Sequence, residues 1–98
     1  MNVIILDSAL EDLLELTNFF ESRSEGLGMR FRQSVEKSLG IVIDFPRASA
    51  VIRKGYRIRQ IKRFRKYGIL YRIKHGCIFV HGIFYLSRGP QYWSSRLG

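Results

Sequence analysis

The chain has 98 residues, enough for one domain spanning 1–98 and too few for two. Hydrophobic residues make up 46% of it, which excludes a disordered tail, and the formal net charge is +9. No segment approaches the roughly 18–20 apolar residues that span a bilayer.

Val3-Ile4-Ile5-Leu6 is an apolar run of four, too short for a signal peptide, without a basic lead and followed at once by Asp7. A cytoplasmic protein is therefore expected. Residues 2–6 read as a short β-branched strand. From Ser8 the period changes: Leu10, Leu13, Leu14, Thr17 and Phe20 recur at three- and four-residue intervals and place an apolar stripe on one helix face. Ser8 and Glu11 have the spacing of a capping box. Residues 22–28 break the pattern with polar side chains and two glycines. A second helix follows on Phe31, Val35, Leu39 and Val42, and Pro46 bars its continuation.

After a loop of mixed polarity the chain turns strand-like. Over Tyr56 to Ile61, Tyr56 and Ile58 point one way and Arg57 and Arg59 the other. Over Tyr67 to Lys74, Tyr67, Ile69, Tyr71 and Ile73 share one face, and Leu70, Arg72 and Lys74 the opposite one. His75-Gly76 suits a tight turn into a third, more apolar strand from Cys77 to Tyr85. A polar tail begins at Pro90. Cys77 is the only cysteine and sits among Ile78, Phe79 and Val80, as a buried, inert thiol would.

This order predicts an α+β fold. A short N-terminal strand and an α-hairpin are followed by three antiparallel strands, which form a sheet packed on the helices. Alternation turns the apolar face of each strand to the helices and gathers Arg57, Arg59, Arg72 and Lys74 on the open face. Charge adds to this. All eight carboxylates lie in the first 44 residues beside only four bases, a formal −4, whereas the chain from Phe45 onward holds thirteen Lys or Arg and no acid. Such a field attracts a polyanion, and nucleic acid is the default candidate.

The run Gly26-Leu27-Gly28-Met29-Arg30-Phe31, the Phe45-Pro46 stop and the Tyr71-Arg72-Ile73 strand with its hairpin resemble the RelE/ParE toxin superfamily, plasmid-stabilisation toxins included. So does the ending Arg88-Gly89-Pro90-Gln91-Tyr92-Trp93-Ser94-Ser95-Arg96. Two positions depart from the family pattern: Tyr85 stands where its last strand ends in histidine, and Gly89 where an Asp precedes the proline. The resemblance implies the toxin of a type II toxin–antitoxin system, with an antitoxin encoded by an adjacent gene. That partner would lay an apolar, acidic segment on the helical hairpin and reach the sheet, with Leu16, Phe19, Arg59 and Arg72 as contacts.

Two activities follow from the resemblance. ParE-like members poison DNA gyrase, and Arg88, Trp93 and Arg96 are then the target-binding candidates. RelE-like members cleave messenger RNA in the ribosome without a metal. Guanidiniums suit the phosphate charge of that reaction, so Arg57, Arg59, Arg72 and Arg88 are catalytic candidates. Tyr85 or Tyr92 would donate a proton or stack on a base, with Lys62 or Lys66 assisting. His81, between Val80 and Gly82, reads as structural and His75 as a solvated turn residue. Neither a zinc-ligand cluster nor a phosphate-cradling glycine loop is present in the sequence, and no cofactor is expected. The lack of a clear acid–base pair favours the ParE-like activity. A non-catalytic nucleic-acid-binding module, with basic residues interleaved among Tyr56, Phe64, Tyr67 and Tyr71, is the third reading.

Overall fold

In the computed structural model, which describes residues 1–89, Tyr92 and Ser94, two helices pack on one five-stranded sheet. The order is β1 (Asn2–Ile5), α1 (Asp7–Arg23), α2 (Leu27–Asp44), β2 (Val51–Arg53), β3 (Tyr56–Ile61), β4 (Phe64–Lys74) and β5 (Cys77–Tyr85). A 3₁₀ turn, Leu86–Arg88, follows. The strands lie in the order β1-β5-β4-β3-β2, with β1 parallel to β5 and the other pairs antiparallel.

The α+β class stands, but the expected three-stranded antiparallel sheet is corrected to a five-stranded mixed one. β1 joins at the edge of β5, a pairing across more than seventy residues that no local pattern encodes. β2 lies in the expected loop; its three residues are all exposed and lack the alternation that marks a strand. β4 begins three residues early, at Phe64, because a tight turn at Lys62-Arg63 sets Phe64 directly opposite Ile61.

α1 finishes the edge that β1 leaves open. β1 pairs with β5 only as far as Ile5 and Val80. Beyond that point the Leu6 N–H donates to the Val80 carbonyl (3.0 Å), the Ser8 hydroxyl to the His81 carbonyl (2.7 Å), and the Ile83 N–H to Asp12 Oδ2 (2.9 Å). Asp12 is buried, and its carboxylate stands in for a missing strand. The Ser8–Glu11 capping box is corrected accordingly: α1 has no side-chain cap, and the Ser8 hydroxyl is spent on the sheet.

Glu21 near the end of α1 accepts from the N–H groups of Gly26 (2.9 Å) and Gly28 (3.0 Å), and so satisfies first-turn amides of α2. The helices meet closely here, since a Cβ on Gly28 would lie 2.5 Å from the Thr17 carbonyl.

Two apolar clusters flank the sheet. Under the helices, Ala9, Phe31, Val35 and Val42 pack on Ile61, Ile69, Tyr71, Ile78, Val80 and Ile83. On the other face Tyr56, Leu70 and Phe84 are buried beneath Ile58, Leu86 and Tyr92. The tight turn expected at His75-Gly76 is present, with φ of 52° and 72°, and Lys54-Gly55 repeats it between β2 and β3 at 52° and 83°.

Candidate functional site

Directly opposed residues of neighbouring strands share a face. Arg57 stands opposite Tyr71 and Arg59 opposite Ile69, so both lie on the helix side. Arg72 stands opposite Tyr56 and Lys74 opposite Cys77, on the other side. The expected gathering of Arg57, Arg59, Arg72 and Lys74 on one open face is therefore corrected. Alternation sorts residues within a strand into two sets, but packing decides which set meets the helices. In β3 it is Tyr56 and Ile58 that turn away, into the second cluster.

The individual candidates are mostly held by other groups. One Arg57 terminal nitrogen donates to the carbonyls of Arg47 (3.2 Å) and Ser49, latching the loop before β2. The Arg72 guanidinium lies 4.9 Å from the Tyr56 ring centre. Arg88 lies 4.4 Å over Tyr92, whose ring meets Phe84 at 5.7 Å. Tyr85 stands edge-on to Tyr67 at 5.2 Å. Leu16 is packed against the helix-side core, while Phe19 is 41% exposed with Arg23 over its ring at 4.9 Å. With Arg59 and Arg72 on opposite faces, the four proposed antitoxin contacts do not form one surface. Trp93 and Arg96 lie outside the described residues.

His81 is the extra residue of a bulge in β5, between Val80 and Gly82, and its ring packs edge-on against Tyr56 at 4.9 Å. His75 is exposed in its turn. Cys77, expected buried, is half-buried because it opens β5 rather than sitting at its centre.

The cations do converge elsewhere, around the turn between β3 and β4. Three adjoining depressions meet there. The first, about 700 Å³, includes Ser38, Arg59, Gln60, Lys62 and Arg65 in its lining. The second, about 410 Å³, is bounded by Arg30, Gln33, Ser34, Lys37, Lys62, Arg63 and Phe64. The third, about 460 Å³, lies between Phe20, Phe64 and Tyr67, with Arg63, Arg65 and Lys66 around it. Each of Lys62, Arg63, Phe64 and Arg65 lines two of the three, and among the described residues the depressions form one belt lined by seven Lys or Arg and no carboxylate.

Helical spacing explains the contribution of α2. Arg30, Ser34, Lys37 and Ser38 fall on one face above the turn, and the Lys62 N–H donates to Ser38 Oγ at 3.0 Å. Glu36 is turned to the solvent side and pairs with Arg32 at 3.5 Å. Of the catalytic candidates only Arg59 lies in this belt, joined by the accessory Lys62 and Lys66. The signal was the run Lys62-Arg63-Phe64-Arg65-Lys66, four cations around one aromatic on a tight turn.

Beside the belt, Tyr67 is flanked by Tyr85, Arg88 and Arg23. Burial, and after it the neighbouring Tyr85 phenol, raise the Tyr67 hydroxyl above the ordinary tyrosine range, while Arg88 and Arg23 pull the other way. Among the described residues no group of His, Cys, Asp and Glu is placed to hold a metal ion. No protein-family model matches this chain, and no curated protein matches it.

Proposed function

We propose that this chain is a growth-inhibiting toxin of the RelE/ParE kind that acts, ParE-like, by binding DNA gyrase together with its DNA, and that the belt is the surface that meets the target. The observation that carries the reading is the convergence, among the described residues, of seven cations from α2, β3, β4 and the β3–β4 turn, with no carboxylate beside them. Guanidiniums and ammoniums so arranged attract phosphates and release their counterions, which supplies affinity without a chemical step. A neutralising antitoxin from a neighbouring gene, acidic enough to compete for the belt, belongs to this reading, as does action in the cytoplasm.

Controlled expression in bacteria tests it. The expected result is growth arrest with trapped DNA breaks and an SOS response, relieved when Arg63→Ala and Lys66→Ala are combined. Unimpaired growth, or arrest with intact chromosomes, would overturn it.

A RelE-like activity is the second reading. It is favoured by Arg72 and Arg88, each held over an aromatic ring of the cluster on the face away from the helices. It requires cleavage of translated messages that is lost in Arg72→Ala and Arg88→Ala.

A further inference from the structure

We propose that the belt takes single-stranded nucleic acid. One unstacked base would lie against Phe64 in the depression between α1 and β4, and backbone phosphates on Arg63, Arg65 and Lys66. This rests on reading the belt as the target surface and specifies the form of ligand it accepts.

The depression has a floor and a rim of opposite character. Its floor is formed by the rings of Phe20, Phe64 and Tyr67, all only half-buried, and its rim by the three cations. The rings are fixed against one another edge-to-face, Phe20 to Phe64 at 5.1 Å and Phe20 to Tyr67 at 5.3 Å. A ligand would therefore meet a surface that is already ordered, with little rotamer entropy left to lose. Duplex DNA offers such a surface only phosphates, because its bases are stacked inside and the aromatic floor would go unused. A single strand offers both: a base face for the rings and phosphates for the rim.

The turn itself is set for this task. Arg63 has φ of 70°, a left-handed conformation in which glycine or asparagine is favoured, yet an arginine stands there and lines two of the three depressions. The preceding residue is pinned to α2 through the Lys62–Ser38 hydrogen bond. The Arg63 side chain thus leaves a fixed backbone, between Phe64 and the helix.

Fluorescence anisotropy with labelled oligothymidine, oligouridine and a duplex of equal length, across a salt series, tests the proposal on the intact chain. Either single strand should bind more tightly than the duplex, and the two arms tell DNA from RNA. Phe64→Leu should weaken single-strand binding roughly tenfold, the loss of one stacked base, and leave duplex binding unchanged.

Arg63→Gly relieves the backbone while removing a cation, so it keeps the fold. It should make the slope of log affinity against log salt shallower by about 0.7. Lys74→Ala, at the far hairpin, should change nothing. Duplex binding as tight as single-strand binding, competition by polyglutamate as effective as by oligothymidine, or an unaltered salt slope in Arg63→Gly would overturn the proposal. Growth arrest with trapped breaks but no single-strand preference would sink this inference alone. Single-strand preference without growth arrest would sink the toxin reading alone.

Discussion

Phe31 and Leu70 are both wholly buried, on opposite faces of the same sheet, but by different means. Phe31 is the hub of an aromatic group that ties both helices to β4, with Phe20 at 4.8 Å, Phe64 at 5.1 Å and Tyr67 at 5.8 Å. Neither α1 nor α2 covers Leu70. Among the described residues its cluster is closed by Ile58 from β3 and by Leu86 and Tyr92 from beyond β5, with Arg72 held over Tyr56. Gly68 makes this closure feasible, since a Cβ there would come within 2.8 Å of both Ile58 and Leu86. Equal burial therefore need not mean equal rigidity. Two long helices interlock over a core, whereas a lid assembled from β3 and the segment after β5 settles more readily into a space left beneath it.

That contrast makes measurable predictions. The largest effect is expected for Phe31→Ala, about 4 kcal/mol lost, with Leu70→Ala nearer ~2.5 kcal/mol because the lid collapses into the cavity. Urea unfolding midpoints of the two variants check this, and equal losses would break the contrast.

Next comes Asp12→Ala, which strands the buried Ile83 N–H and should cost about 2 kcal/mol; amide exchange at Ile83 should rise with it. Arg72→Ala should cost only ~0.5–1 kcal/mol, the value of one partly exposed cation–ring pair, and a larger loss would show the lid to be more rigid than described.

The smallest effect concerns pH. Because the folded state raises the Tyr67 pKa, its contribution to stability is fully present below the unfolded tyrosine value and lost as pH rises through the folded one. Thermal midpoints should fall slightly more steeply above about pH 10 in the parent chain than in Tyr67→Phe.

Much of the helical layer was legible in the sequence. Of the stripe Phe31, Val35, Leu39 and Val42, three residues are buried and Leu39 is half-buried, Pro46 follows the end of α2, and the His75-Gly76 turn is where the dipeptide places it. Leu10 and Leu14, in the same stripe as Leu13, are 48% and 64% exposed, since α1 lies at the edge of the sheet and meets it with a narrower face than its leucines suggest. The basic belt was legible only in outline. Lys62 to Lys66 announce a basic turn, but Arg30 and Lys37 are more than twenty residues away and reach it only because α2 crosses above.

The sequence by itself determined the element types apart from β2, the charge divided between an acidic first part and a basic remainder, and the residues that alternate within the longer strands. These are local properties, set by period, propensity and turn chemistry. Only the tertiary structure decided that β1 runs parallel to β5, that Arg57 and Arg59 face the helices while Arg72 turns away, and that the cations meet around the β3–β4 turn. Each of these depends on which surfaces bury the most apolar area against each other, a property of the whole chain that no single segment carries.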